Sequence, residues 1–459
     1  MPSKGKRKKA QSQKVVRLES LKQINLNAAG LDIGSAAIWA CVPEDRDDQP
    51  VRQFATFTVD LKALADWLET CGIESVAMES TGVYWIPIYE ILEARGFQVY
   101  LVNARHIKNV PGKKTDVLDC QWIQQLHTYG LLRASFRPEE EMCALRAYIR
   151  HRDNLIRHRS SHVQHMHKAL HLMNVQLTNV ISDITGLTGM LIIRAIVAGQ
   201  HNPVQLARHR NPRCVSSEEE IAKALTGNYR PEHLFALKQA LQLYDFYSQQ
   251  IRDCDGEIEQ KYAAIKPVVN IEAKPLPPAK RRKRSKNEPD FDLRSHLYQI
   301  CGVDLTGIDG LEALTVQQII TETGVDMSRW PTVKHFCSWL TLAPHNDISG
   351  GKVLKSRTMK SKNRAAQAFR LAAQSVGKSK SALGAFYRRM RAKHGAPKAI
   401  TATAHKLARI LYHMLKYRQA YADPGQDYYE QQYRNRVIKN LQRRAKQLGM
   451  KLVPQPSVS

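Results

Sequence analysis

Four carboxylates stand out by where they fall. Asp32 sits inside the apolar run LDIGS, and Glu79 closes a second one, VAMES. Asp116 and Asp119 lie three apart in KKTDVLDCQWIQQL, ahead of an apolar series with helical spacing. A carboxylate inside an apolar strand is costly to bury unless it is paired or binds a cation. Residues at i and i+3 project from one face of a helix, so Asp116 and Asp119 can act together. If the strands are neighbours, all four acids converge at the strand ends and would hold one or two Mg²⁺ ions. Magnesium takes oxygen ligands, activates a nucleophile and stabilises a leaving oxygen in phosphoryl transfer. Plainer roles stay open at this point. Asp116 can be an N-cap, Asp119 a first-turn acid that favours the helix dipole, and Asp32 part of the turn at Gly34.

The elements that would position these acids can be read from apolar patterning. LNAAGLDIGSAAIWACVPED reads as two strands joined at the Gly34–Ser35 turn, and QFATFTV alternates as a third. LKALADWLETC has helical spacing and ends at Gly72; ESVAMES is a short buried strand. YWIPIYEILEARG is a helix closed by Gly96, FQVYLV is a fifth strand, and Asp116 opens the next helix. The order βββαβαβα predicts a mixed α/β domain over 26–137. Residues 138–175 and 232–266 are helical and pair as an antiparallel, coiled-coil-like arm within 138–273. The intervening 176–231 reads only as mostly helical. A Pro-rich, very basic linker spans 274–291, a helix-rich domain 292–420, and a basic tail 421–459. Residues 1–25 form a basic arm.

The chain has 459 residues with 69 Lys and Arg against 42 Asp and Glu, a formal charge of +27. Such an excess points first to nucleic acid, whose phosphates release counterions to each bound cation. An anionic membrane surface is the weaker alternative. No apolar run near membrane-spanning length and no secretory signal are present, so the expected location is cytoplasmic or nucleoid-associated. Eight scattered cysteines form no CxxC pair, which argues for buried free thiols rather than zinc or disulfides. The run RHRDNLIRHRSSHVQHMHKALH carries Arg150, Arg152, Arg157 and Arg159 with six histidines and one acid, Asp153. His158, His162 and His165 share a face, but a basic surface on RNA or DNA is the better reading. Lys113 and Lys114 can touch phosphate or form a solvated turn.

GLDIGS, AMESTGVYW and KKTDVLDCQWIQQL resemble the three blocks of the DEDD transposases. These are insertion-sequence recombinases related to the Piv DNA invertase and guided by a structured RNA from the element. The C-terminal half is also similar. LTGIDGLEALTVQQIITETG resembles the family's helix-hairpin-helix-like segment, and FCSWLTLAPHNDISGGKVLKSRTMKSKNR its transposase block. The resemblance implies a RuvC-like, RNase H-fold N-terminal domain in which Asp32, Glu79, Asp116 and Asp119 bind Mg²⁺. It implies that Ser349 is the nucleophile on DNA, activated by the metal site in a composite site and therefore in a multimer. A serine hydroxyl can store a phosphodiester's energy as phosphoserine. Gly350 and Gly351 leave backbone open to a phosphate, and Lys352, Lys355 and Arg357 can stabilise its charge. Gly307 and Gly310 would form a hairpin whose N–H groups contact phosphate, or a plain turn between helices. Thr81, Tyr84 and Trp85 match the block after Glu79. LDIGS is also similar to the first phosphate loop of actin-class ATPases, whose second Asp-x-Gly loop is not evident here. A RuvC-like nuclease that uses water, for which Ser349 is dispensable, is the nearest rival. A non-catalytic nucleic-acid-binding protein is the rival from a different class.

Overall fold

A small residue in each central strand decides how the first layers meet. In the computed structural model, residues 22–80, 82–103, 116–279, 286–359 and 361–453 are described, with Asp116 and Val117 described by backbone only. The chain divides into two compact units, Met1–Arg137 and Pro138–Ser459.

The first unit contains β1 (Ala28–Ile33), β2 (Ala37–Cys41), β3 (Val51–Ala55), α1 (Thr58–Thr70), β4 (Ser75–Glu79), α2 (Trp85–Ala94), β5 (Gln98–Val102) and α3 (Asp116–Thr128). The element order is the expected one. The third strand lies earlier than QFATFTV suggests, because Thr58 already starts α1, with Leu61 N–H donating to Phe57 C=O at 2.9 Å. The sheet order is β3-β2-β1-β4-β5. β1 is antiparallel to β2 and parallel to β4, and β4 is parallel to β5. Both faces of β1 and β4 are covered, which explains their nearly unbroken apolar sequences.

On one face Ala29, Leu31 and Ile33 pack with Val76 and Met78 under α1 and α2. On the other, Ala77 and Val102 meet Ile123 and Leu126 of α3. Gly30 belongs to this second face. A Cβ there would lie 2.4 Å from the Cys120 carbonyl oxygen and 2.4 Å from the Gln124 amide nitrogen. α3 therefore rests on bare strand backbone. Farther along the helix, His127 Nε2 and Ser75 Oγ are 3.0 Å apart, and the Tyr100 and His127 rings lie 4.5 Å apart.

In the second unit, α4 (Glu140–Leu172) and α8 (Pro231–Ala264) form a long antiparallel pair, as the helical patterning of 138–175 and 232–266 suggested. Tyr148 lies beside Cys254 at one end, while His158 and His162 lie beside Tyr247 toward the other. Between them in sequence come α5 (Leu187–Val197), α6 (Pro203–Ala207) and α7 (Glu218–Ala224). They share a core with Met166, Leu170, Leu237 and Leu241. Then follow α9 (Leu293–Cys301), α10 (Ala313–Thr323), α11 (Val333–Trp339), the two-stranded hairpin β6 (His345–Ser349) and β7 (Lys352–Arg357), α12 (Arg364–Ser375), α13 (Ala382–His394) and α14 (Ala396–Tyr417). The basic segment after residue 420 contains a further helix, α15 (Gly425–Gln447). No helix among the described residues is long and apolar enough to cross a membrane.

Burial pushes the His127 pKa down from 6.5 to about 4. The unfolded chain therefore takes up a proton below pH 6.5 that the folded chain refuses until near pH 4, so stability falls through that window. Between pH 7 and pH 5 the loss should be about 2 kcal/mol. Denaturant unfolding of His127→Gln should show a shallower acid dependence than the parent; equal slopes would disprove the assignment.

Candidate functional site

Strand register brings the first two acids together. Leu31 of β1 faces Met78 of β4, so Asp32 and Glu79 each come next on adjacent parallel strands. Alternation along β1 puts Ala28, Gly30 and Asp32 on the α3 side; along β4 it puts Ser75, Ala77 and Glu79 there. The contacts of Gly30, Ala77 and Ser75 with α3 fix that side independently. The helix runs against these strands: His127 meets Ser75 at the start of β4, and Cys120 meets Gly30 farther along β1. Asp119 and position 116 lie still nearer the helix start, toward the ends of β1 and β4. Asp32, Glu79 and Asp119 are all half-buried. The Cys120 thiol pKa is pushed up, first by its hydrogen bond with Cys41, then by burial and the charges of Cys41 and Asp32.

These oxygens are the donor type that a hard divalent cation takes. Among the described residues, no three His, Cys, Asp or Glu side chains form a metal-binding group. The Asp116 side chain lies outside that set. Lys113, Lys114 and Thr81 also lie outside the described residues, while Tyr84 and Trp85 lead into α2.

Ser349 belongs to the second unit and ends β6. Gly350 and Gly351 make a two-residue turn with φ of 55° and 74°. That left-handed pair matches the twist of a tight hairpin and explains the glycines. Nothing lies within 4 Å of where a Cβ would stand on either one. Ser349 pairs with Lys352, Asp347 with Lys355, and His345 with Arg357. Lys352 and Lys355 would fall on opposite faces of a regular strand. An irregularity at Asp347/Ile348 leaves Leu354 unpaired and re-phases β7. Ser349 thereby shares its face with Lys352, Lys355 and Arg357. His345 and Asp347 share that face too, their Nδ1 and Oδ1 3.6 Å apart. The sequence reading missed this pair, although their i, i+2 spacing before Ser349 was a usable signal. Every residue of both strands is exposed.

Within the basic helix, one arginine leaves the expected nucleic-acid face. Arg152 does not lie on a nucleic-acid face: it is 4% exposed and ion-paired with the equally buried Asp255 of α8, its Nη2 3.1 Å from Oδ2. Arg150 grips Glu322 of α10 through Nη2 at 2.7 and 2.9 Å. Arg159 is half-buried and donates to Asn287 Oδ1 at 2.9 Å. Arg157 is exposed. His158 and His162 stack on Tyr247.

Of the two readings left open for the Gly307–Gly310 segment, the packing of Gly310 fits the plain turn between helices. A Cβ on Gly310 would lie 2.4 Å from Val376 Cγ2 and 2.8 Å from the Ala372 carbonyl of α12, and its φ is 88°. Helix packing therefore accounts for this glycine. The adjoining cavity is lined by Glu288, Asp290, Asp292, Asp304, Asp309 and Glu312, with Arg294 held by Asp304 at 2.6 Å. Gly307 is exposed in a 3₁₀ turn.

Two family models match the chain. One, described as Transposase of the DEDD IS110 type, covers residues 29–175; the other, Transposase IS116/IS110/IS902 family, covers 304–388. Together they take in just over half of the sequence, the four acids and Ser349 included. No curated protein matches.

Arg152→Ala leaves Asp255 buried without its partner and should cost about 3–5 kcal/mol in denaturant unfolding. The double change Arg152→Met with Asp255→Leu should recover most of that loss. A single variant as stable as the parent but weaker on nucleic acid would return Arg152 to the surface face.

Proposed function

We propose, for a chain that belongs to the DEDD-class insertion-sequence transposases, DNA strand exchange through a serine-linked intermediate. The observation that carries this reading is the placement of Asp32 and Glu79 at adjacent parallel strand ends, on the face that α3 covers with Asp116 and Asp119 in its first turn. The strand order β3-β2-β1-β4-β5, an antiparallel hairpin joined to a parallel core, supports an RNase H-type, RuvC-like first unit. Asp32, Glu79, Asp116 and Asp119 would hold Mg²⁺, which when bound activates an attacking oxygen and neutralises charge on a leaving one.

Ser349 Oγ attacks the phosphorus of a DNA linkage. The bond to the 3′ oxygen breaks, that oxygen takes the proton, and the 5′ phosphate remains on the serine. A freed 3′ hydroxyl then attacks the phosphoserine and expels Ser349. Lys352, Lys355 and Arg357, on the serine's own face, balance charge on the transferred phosphate. The open backbone at Gly350–Gly351 lets the phosphate approach. The carboxylates lie in the first unit and the serine in the second, and the family resemblance implies that the active form is a multimer. A structured RNA of the element guides the choice of DNA, as the family resemblance implies.

The test traps protein on DNA. The full chain is mixed with element ends, candidate flanking RNA and Mg²⁺, then denatured. A covalent protein–DNA adduct is expected, and Ser349→Ala and Asp116→Ala should each reduce it to background. Strand cleavage without an adduct, unchanged in Ser349→Ala, would make water the nucleophile. DNA binding with neither cleavage nor adduct would leave a non-catalytic binding protein.

A further inference from the structure

The second unit holds a cavity of about 520 Å³ among α13, α14 and α15 that the strand-exchange reading does not use. Its walls are largely aromatic and aliphatic, with Tyr417, Tyr428 and Tyr429 beside Leu383, Ile410 and Met414. Tyr417 and Tyr428 are 57% and 55% exposed. His413 stacks parallel to Tyr417, with centroids 5.8 Å apart and planes at 11°. The mouth thus presents flat π-surfaces over an apolar interior.

The charged side chains that line the cavity are cationic, while Asp423, next to its wall, accepts from the Ala382 N–H at 3.1 Å and the Tyr421 hydroxyl at 3.3 Å. Lys406 and Arg409 line the cavity from α14. Lys406 Nζ sits 4.1 Å from the Phe386 ring centroid. Burial first, then the charges of Arg409 and Arg436, push the Lys406 pKa down. The nearby carboxylate Glu430 is taken by Arg389. Among the described residues no acid forms an ion pair with Lys406, Arg409 or Arg436. Cations that line a cavity without an ion-paired acid gain from an anion delivered beside them.

α15 extends the pattern. Its first turns are tied down by Tyr429 against Phe386 and by Arg389 over Tyr433 at 3.4 Å. Beyond Tyr433, residues 434–447 carry Arg434, Arg436, Lys439, Arg443, Arg444 and Lys446 and no acid. No residue of α15 is buried. That stretch offers about 20 Å of cationic helix leading away from the cavity.

We propose that the cavity receives an unpaired base of a single-stranded polynucleotide, stacked on Tyr417 and Tyr428, with Lys406, Arg409, Arg436 and distal α15 carrying its phosphates. Base stacking on aromatic side chains with a cationic track for the backbone is how single strands are held without reading a duplex. A duplex has no free base to offer, which separates this site from a general phosphate-binding surface. DNA and RNA share the chemistry required, and the site stands independently of Ser349.

The experiment uses the full chain and fluorescently labelled 12-nucleotide probes: single-stranded DNA, single-stranded RNA, and a blunt DNA duplex of equal length. Tyr417→Ala with Tyr428→Ala should weaken binding of at least one single-stranded probe about tenfold, with duplex binding unchanged within about twofold. Tyr417→Phe with Tyr428→Phe should restore it. Arg409→Gln with Arg436→Gln should lower the slope of log affinity against log salt by about 1.4 on the same probe. A loss confined to the RNA arm or to the DNA arm supports the site and names its strand. Unchanged single-strand binding in the double alanine variant, an equal loss on the duplex, or equal occupancy by a free mononucleotide would overturn it. Matching thermal unfolding of parent and variants separates lost stacking from lost structure.

Discussion

Gly30 lets a helix lie on the backbone of the central strand. A Cβ there would meet the Cys120 carbonyl and the Gln124 amide at 2.4 Å, and no rotamer change removes backbone. The depth of α3 against β1 is therefore set at one point. Its direction is set by a second contact, His127 with Ser75. Two fixed points define a line, and the first turn of α3 lies on it toward the ends of β1 and β4. Asp32 and Glu79 come at those strand ends, and Asp119 and position 116 fall in that first turn. Half-burial of Asp32, Glu79 and Asp119 follows from the same close approach.

Much of this was legible because it is local. Alternating and continuous apolar runs marked β1, β2, β4 and β5, and the acids interrupting them were conspicuous. What was hidden depends on partners far away in sequence. Arg152 looked like its neighbours Arg150, Arg157 and Arg159. Yet it follows Leu145 and Ile149 and precedes Leu155 on the buried stripe of α4. Its partner, Asp255, comes from the opposite helix. Gly310 stayed open between a phosphate turn and a plain turn between helices; Ala372 of α12 and Val376 just after it require its missing side chain. The bulge at Leu354 was equally invisible. Only pairing with β6 shows that Lys352 and Lys355 share one face.

The two candidate chemical groups meet opposite physical demands. Carboxylates that bind a hard cation must be fixed and partly desolvated before the ion arrives, or ordering them offsets the gain. A sheet end capped by a closely packed helix does that. A serine that must enter a DNA backbone needs access, and an all-exposed hairpin gives it. The Gly350–Gly351 turn and the Leu354 bulge set which residues share its face without burying any of them.

Net charge alone does not identify where a polyanion binds. The excess of +27 is the remainder after internal pairing. Arg150 with Glu322, Arg152 with Asp255, Arg294 with Asp304 and Arg389 with Glu430 each join an arginine to an acid from another part of the second unit. Such arginines tie elements of the unit together, and a phosphate would have to displace a carboxylate to reach them. Residues 434–447 have no acid within their own stretch, and β7 carries its three cations on one exposed face. Bound phosphate there neutralises charge without breaking a structural pair. The fold thus sorts one pool of lysines and arginines into those that stabilise the protein and those left to its partners.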